Sequence, residues 1–173
     1  MSYYGFQTPL SVAEQMVDLI DFDPKTILEP SSGTGNLLKV AKKKYPFVQY
    51  SSIEIDSEYC KIQNEENGFS VHCSDFFYVE IPERKFDLVL TNPPHSPMEV
   101  GYKMIERLRL FSDRIIAIMP WLWIINSWKR WENWKPYIRQ INHLPRSVFP
   151  GSRIQTAIFD IDLSKSFSFA ELS

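Results

Sequence analysis

Long apolar runs are missing from the sequence, because no stretch of about 18 residues is free of charged or strongly polar side chains. The first ten residues, MSYYGFQTPL, contain neither a basic region nor an apolar core, so we expect no secretion signal. Internal repeats and low-complexity linkers are absent as well. These absences predict a cytoplasmic protein that has no membrane partner.

Cysteine and histidine are both scarce. The two cysteines, Cys60 and Cys73, do not have the spacing of metal ligands, and we interpret them as the reduced thiols of a cytosolic protein. The three histidines, His72, His95 and His143, are scattered along the chain. Since structural metal sites need clustered ligands, we predict that the protein binds no metal.

The charge is uneven along the chain, although the net charge is only -2. Residues 1–100 carry 8 Lys and Arg against 15 Asp and Glu, whereas residues 101–173 carry 11 against 6. The second half also contains all five tryptophans. A basic, aromatic half is suited to an anionic polymer, but ordinary variation between helix surfaces gives the same pattern.

Strand-like apolar runs alternate with segments of helical spacing. This order predicts an α/β fold, with βαβ units around a mostly parallel seven-stranded sheet and helices on both faces. We expect one domain over residues 1–173, which is an ordinary domain length. Predicted strands span 26–30, 50–56, 70–75, 86–92, 114–120, 141–149 and 154–163, and predicted helices span 36–45, 57–68, 99–111 and 121–138.

Three polar features follow the first three predicted strands. The loop LEPSSGTGNLL contains Gly33 and Gly35, which allow a tight turn, but it lacks the third glycine of a dinucleotide-binding loop. Glu54 ends the second strand, 19 residues after Gly35. An acidic residue at about that distance accepts hydrogen bonds from ribose hydroxyls. Asp75 ends the third strand and precedes Phe76. A carboxylate at this position can accept a hydrogen bond from the exocyclic amine of adenine, and the aromatic ring can stack on the purine. Together they predict a ligand that contains adenosine.

The fourth predicted strand ends in LTNPPH, with Asn92, Pro93, Pro94 and His95 in succession. Two consecutive prolines remove two backbone donors and fix two φ angles, which is more rigidity than a simple turn needs. Polar side chains beyond the carboxyl ends of strands are where open α/β sheets bind ligands. We therefore expect this tetrapeptide to lie in the functional site.

These motifs, in this order, resemble those of S-adenosylmethionine-dependent amino-methyltransferases, and are most similar to adenine-N6 DNA methyltransferases. FQTPLSVAEQMVDLI resembles the opening segment of such domains, LEPSSGTGNLL the cofactor loop, IEID the ribose motif and CSDFF the adenine motif. TNPPH resembles the catalytic N-P-P-Y/F motif, and LPRSVFPGSRIQTAIFDI a later motif whose Phe packs on the target base. The resemblance implies a single Rossmann-like methyltransferase domain with S-adenosylmethionine as cofactor.

The resemblance also implies roles for individual residues. The catalytic residues would be Asn92, Pro93, Pro94 and His95, because an exocyclic amine needs two acceptors on its N–H bonds, here the Asn92 side-chain oxygen and the Pro93 carbonyl. The cofactor-binding residues would be Thr8, Pro9, Glu29, Pro30, Ser31, Gly33, Gly35, Glu54, Ile55, Asp75, Phe76 and Asn92.

His95 departs from the family, which has Tyr or Phe at this position to stack on the base. We expect a neutral imidazole, since a cation beside a sulfonium is unfavourable. Phe149 is the candidate for the other face of the target base. Further substrate contacts are expected from Lys129 and Arg130 in the tryptophan-rich segment 121–140; alternatively, its tryptophans cover the sheet and its cations face water.

The expected function is methyl transfer to N6 of adenine in DNA, with RNA possible as the nucleic-acid partner. No separate target-recognition domain is expected, so a separate specificity subunit or a homodimer is a candidate partner. A restriction-modification role fits such a protein. The alternatives are the same chemistry on RNA adenine or guanine or on a protein glutamine amide, and a non-catalytic cofactor-binding subunit.

Overall fold

A computed structural model describes residues 6–65 and 68–167 of the 173-residue chain. Seven strands form one sheet in the order β3-β2-β1-β4-β5-β7-β6, and β7 runs antiparallel to both β5 and β6. The other pairings are parallel. The strands are β1 Thr26–Glu29, β2 Gln49–Glu54, β3 Val71–Cys73, β4 Leu88–Thr91, β5 Arg114–Pro120, β6 Ile138–Leu144 and β7 Thr156–Asp162. The predicted mostly parallel seven-stranded sheet is confirmed.

Helices cover both faces of this sheet. They are α1 Leu10–Asp18, α2 Asn36–Lys44, α3 Ser57–Glu65, α4 Met98–Leu108, α5 Leu122–Ile125 and α6 Trp128–Trp134. Successive strand residues point to opposite faces, so Ile116 packs on the α1 and α2 side whereas Ile115 packs on the α4, α5 and α6 side. Burial on both faces explains why the strands are continuous apolar runs. No helix among the described residues is long and apolar enough to cross a membrane.

The tryptophan-rich segment is not the single helix over residues 121–138 that the sequence predicts. The chain breaks at Asn126 and Ser127, and the Ser127 hydroxyl accepts a hydrogen bond from the backbone N–H of Arg130 to begin α6. Trp123 and Trp134 are fully buried and pack edge to face at 5.2 Å, whereas Trp128 is 75% exposed. Most of the tryptophan surface therefore covers the sheet.

Two further predictions about the chain were wrong in detail. The sixth strand is Ile138–Leu144 rather than residues 141–149, because the chain turns at Pro145 into a short 3₁₀ turn over Arg146–Val148. Cys60 and Cys73 are not separate reduced thiols, since they form a disulfide between α3 and β3 with their Cα atoms 5.9 Å apart. Of the second predicted helix, over residues 57–68, residues 66 and 67 lie outside the described residues.

Candidate functional site

A cavity of about 420 Å³ opens at the carboxyl ends of β1, β2 and β4. The strand order reverses between β1 and β4, and this is where open α/β sheets bind ligands. Most of the residues predicted to bind the cofactor line this cavity: Thr8, Glu29, Pro30, Ser31, Gly33, Glu54, Ile55, Asp75, Phe76 and Asn92.

Pro9 and Gly35 do not line the cavity. The Pro9 carbonyl accepts hydrogen bonds from the N–H groups of Val12 and Ala13, and so begins α1. Gly35 precedes α2 with a φ of 79°. Both residues shape the segments that carry lining residues, and neither lies against the ligand space.

The loop between β1 and α2 is held by backbone and side-chain contacts around Gly33. This residue has a φ of 53°, and a Cβ atom there would lie 2.5 Å from Oε1 of Gln7. The same Gln7 oxygen accepts hydrogen bonds from the N–H and the hydroxyl of Thr34, both at 2.9 Å. The positive φ therefore favours a glycine at position 33, and a larger residue would also have to displace the Gln7 side chain from Thr34.

Two carboxylates of the site are oriented by backbone donors. Glu54 accepts hydrogen bonds from the N–H of Gly33 at 2.6 Å and from the N–H of Asp56 at 2.8 Å. Asp75 accepts from the N–H of Phe77 at 2.9 Å. Each carboxylate oxygen can accept more than one hydrogen bond, so both groups keep acceptor capacity for hydroxyl or amine donors of a ligand.

Glu29 is the buried acid of the cavity. Its Oε2 atom has no hydrogen-bond partner among the described residues, although Leu38 at the first turn of α2 donates its backbone N–H to the carboxyl group. Burial, with the nearby charge of Glu54 as the second cause, raises the pKa of Glu29 well above its usual value. A buried acid with a free oxygen is suited to a cationic group of a ligand.

The amide of Asn92 is held in a single orientation. Its Nδ2 atom donates to the backbone carbonyl of Phe6 and to Oγ1 of Thr8, both at 3.1 Å. Because a carbonyl oxygen only accepts, the side-chain nitrogen must face Phe6. Oδ1 of Asn92 is buried and has no partner among the described residues. The site therefore contains a fixed acceptor that is left for a donor from outside the chain.

The two prolines explain the contact of His95. The pairing of β4 with β5 stops at Thr91 and Ala117. Pro93 and Pro94 have no N–H, so neither can donate to the carbonyl of Ile118, the next residue of β5. Nε2 of His95 lies 3.2 Å from that carbonyl oxygen and must carry the hydrogen.

His95 is therefore fixed as the Nε2–H tautomer. Burial lowers the pKa of His95, while the bond to the Ile118 carbonyl acts in the opposite direction. A lowered pKa favours the neutral form of the ring at pH 7.

Asn92 also lines a second, smaller cavity of about 50 Å³. Phe6 and Asn92 border both cavities. Phe149 is only 5% exposed and packs edge to face on Phe6 with ring centres 6.1 Å apart. The residues that line this cavity are Phe6, Asn92, Pro93, His95, Ser96, Phe149, Ser152 and Ile154.

Lys129 and Arg130 are not brought to either cavity. Arg130 donates to the carbonyl of Trp123 at 2.6 Å and its guanidinium lies 4.5 Å from the ring centre of Tyr102. Tyr102 is two residues after Val100, which lines the larger cavity, and is thus on the opposite face of α4. Lys129 is exposed on α6.

Sequence reasoning missed one wall of the larger cavity. Val100, Lys103 and Met104 have the i, i+3, i+4 spacing of one helix face, which was a usable signal. What the spacing did not indicate is that this face turns to the ligand space rather than to water. The other lining residues that were missed are Phe6, Gln7, Ser32, Asn36, Leu37, Tyr59, Ser74 and Phe77, whereas Pro94, which also lines this cavity, was predicted as a catalytic residue.

Comparison with known proteins finds methyltransferases. No family model matches the chain. It is 31% identical over 99 residues to the type II methyltransferase M.CvrRI of Paramecium bursaria Chlorella virus XZ-6E, covering 57% of this chain and 26% of that protein. It is 32% identical over 103 residues to a tRNA1(Val) (adenine(37)-N6)-methyltransferase of Flavobacterium psychrophilum, covering 54% of this chain and 44% of that protein.

Solved structures show the same fold. A modification subunit of a putative type I restriction enzyme from Vibrio vulnificus has a TM-score of 0.77 at 17% identity, covering 97% of this chain and 48% of that chain. A putative RNA methyltransferase from Pyrococcus horikoshii has a TM-score of 0.71 at 17% identity, covering 95% and 88% of the two chains. The chain is thus similar in sequence to adenine-N6 methyltransferases over about half its length, and it has the methyltransferase fold.

Proposed function

We propose that this protein transfers the methyl group of S-adenosylmethionine to the exocyclic N6 of adenine in DNA. The observation that carries the proposal is the buried Oδ1 of Asn92, which has no partner among the described residues and belongs to a residue that lines both cavities. Such an acceptor is what the N–H of an amine substrate requires, and the larger cavity provides room for the methyl donor.

The side chains of the larger cavity fit S-adenosylmethionine. Glu54 would accept the ribose hydroxyls and Asp75 the adenine amine, with Ile55 and Phe76 against the adenine ring. Glu29, with its free oxygen, would face the positively charged methionine part, beside Thr8. When bound, S-adenosylmethionine supplies an electrophilic methyl group on a cationic sulfur.

The chain's own residues would prepare the amine. Its lone pair is delocalised into the purine ring, so it must be freed before it can attack carbon. Oδ1 of Asn92 and the carbonyl of Pro93 would accept the two N–H bonds and rotate the lone pair towards the methyl group. Held by these two acceptors, the nitrogen would form the new N–C bond as the S–C bond breaks, and would then lose one proton to water.

The smaller cavity is proposed as the entrance for the target base. His95 and Phe149 both border it, so the base would insert between an imidazole and a phenyl ring. Aromatic stacking contributes about 1–3 kcal/mol per base. Lys129 and Arg130, which line neither cavity, are not required for this step.

The two relatives point to different nucleic acids. The virus relative is a type II methyltransferase, whereas the Flavobacterium relative acts on tRNA adenine. The chain spans only 26% and 44% of these two relatives, so further chain or a partner would supply target recognition. A specificity subunit or a second copy of this chain are the proposed partners, since one structural neighbour is a type I modification subunit. A restriction-modification role is consistent with either partner.

A cytoplasmic location stays a prediction. The disulfide between Cys60 and Cys73 weighs against it, because stable disulfides are rare in reducing compartments. The absence of bound metal likewise stays a prediction.

The test is transfer of labelled methyl from S-adenosylmethionine to duplex DNA, single-stranded DNA and total RNA, followed by digestion and separation of nucleosides. Label in N6-methyladenine from DNA is the expected result. Label only in RNA would show that the protein methylates RNA rather than DNA, and label only in protein would indicate a glutamine substrate. Cofactor binding without any transfer would indicate a non-catalytic subunit.

A further inference from the structure

Most cations of the basic second half are occupied by contacts within the chain. Lys103 and Lys165 pair with carboxylates, and Lys135 lies over the ring of Trp131. The five arginines before residue 146 also bind the chain: Arg107 the carbonyl of Val79, Arg109 that of Asn133, Arg114 the carboxylate of Asp160, Arg130 the carbonyl of Trp123, and Arg139 the carboxylate of Asp21.

Three cations of this half remain exposed without an acidic partner among residues 6–65 and 68–167. They are Lys129 on α6 and, in the connection between β6 and β7, Arg146 and Arg153. The two arginines are tied together, because Nη2 of Arg146 donates to the backbone carbonyl of Arg153 at 2.7 Å. This bond links the two residues, and the guanidinium of Arg153 has no partner within the part of the chain that the structure describes.

The β6–β7 connection, residues 145–155, forms a wall of the smaller cavity. Phe149, Ser152 and Ile154 line it, so Arg153 is flanked on both sides by lining residues. The connection is internally bonded, since the N–H of Ser152 donates to the carbonyl of Phe149 at 2.9 Å. It contains no Asp or Glu. A fixed, purely positive segment therefore borders the cavity proposed for the target base.

We propose that Arg146 and Arg153 bind the phosphates that flank the target nucleotide. The inference rests on the proposed function and names the residues that hold the nucleic acid. A guanidinium presents its donors in a planar fork that matches phosphate oxygens, and it remains charged at any working pH. Each phosphate neutralised releases condensed counterions, so these contacts make binding depend on salt.

The test compares the double variant Arg146→Gln/Arg153→Gln with the wild type. Binding of a single-stranded and a duplex adenine-containing DNA is measured by fluorescence anisotropy over a range of salt. Loss of two phosphate contacts should reduce the slope of log affinity against log salt by about 1.4–1.8, from roughly 0.7–0.9 for each contact. KM for DNA should rise severalfold, while kcat, S-adenosylmethionine affinity and Tm stay as in the wild type.

Lys129→Gln is the matched control, because it removes an exposed cation that borders neither cavity. Its salt slope should equal that of the wild type, and Arg146→Lys should keep most of the slope because it keeps the charge. The proposal is overturned if the double variant retains the full slope, or if Lys129→Gln reduces it equally. A wild type that binds neither the single-stranded nor the duplex DNA overturns it too, and that failure belongs to the proposed function because it precedes any substitution.

Discussion

The buried carboxyl group of Glu29 lowers the stability of the protein without ligand. Its carboxyl group is buried with one oxygen unpaired, and burial raises its pKa. Because the folded state favours the protonated form, the free protein loses stability as the pH rises above the usual carboxyl value. A cation in the cavity would reverse this preference by pairing with the ionised form.

Glu29→Gln should therefore separate stability from ligand binding. At pH 7 we expect the free variant to be more stable than the wild type, because the neutral amide removes the cost of ionising a buried carboxyl group. Its affinity for S-adenosylmethionine should fall, because the amide cannot pair as an anion with the cationic part of the ligand. Thermal denaturation with and without the cofactor measures both effects. A variant that is less stable and binds equally well would remove Glu29 from the charged part of the site.

His95 combines a ring with a donor, and two substitutions separate them. His95→Phe keeps an aromatic face but leaves the Ile118 carbonyl without its donor, which costs about 1–3 kcal/mol for a buried group. His95→Gln keeps a donor and removes the ring. We expect His95→Phe to lower Tm and retain methyl transfer, and His95→Gln to keep Tm and raise KM for DNA. Equal Tm values for His95→Phe and wild type would show that the bond contributes nothing.

Among the secondary-structure elements, the disulfide joins α3 to β3 across 13 residues of sequence. A cross-link closing a loop of this length is expected to stabilise the folded state by about 3 kcal/mol. A reducing agent should thus lower Tm of the wild type and have no effect on a Cys60→Ala/Cys73→Ala variant. Detection of two free thiols in the denatured, unreduced protein would contradict the disulfide.

The elements that the sequence predicted well are those whose patterns are local. The ends of β1, β2 and β4 were predicted because apolar runs stop at Glu29, Glu54 and Asn92, and parallel strands bring such ends to one edge. The break between α5 and α6 was missed, since Ser127 was taken as an ordinary helical residue although serine is a strong helix cap. Whether Lys103 faces the larger cavity or water depends on how α4 packs against the sheet, and no local sequence pattern contains that information.

At the scale of the whole molecule, an ion cluster joins the sheet to the end of α1. Asp21 pairs with Arg139 at 2.5 Å and with Arg114 at 3.4 Å, and Asp160 lies between the same two arginines. The hydrogen bond from Arg139, together with the charges of both arginines, lowers the pKa of Asp21 to about 2 against desolvation. The cluster begins at Arg114, the first residue of β5, so it lies away from the strand ends that bear the site.

Acid should weaken the molecule through this cluster. The stabilisation from Asp21 is fully present above its usual pKa of 3.8 and is lost as the pH falls through its folded value of about 2. We expect Tm of the wild type to fall more steeply than that of Asp21→Asn between pH 4 and 2, as measured by circular dichroism. Parallel curves for the two proteins would show that the ion pairs of Asp21 contribute no pH dependence.

Asn92 follows β4 and lines both cavities, and its amide binds the segment before α1 through Phe6 and Thr8. The proposed chemistry therefore depends on this residue more than on any other. The most direct test is the rate of methyl transfer by Asn92→Ala at saturating S-adenosylmethionine, together with its cofactor affinity by calorimetry. We predict a loss of about 10²–10³ in kcat, the usual cost of one preorganised hydrogen-bonding group, with cofactor affinity nearly unchanged. Transfer at the wild-type rate, or a cofactor affinity reduced as much as the rate, would contradict the assignment of Asn92 as the acceptor for the target amine.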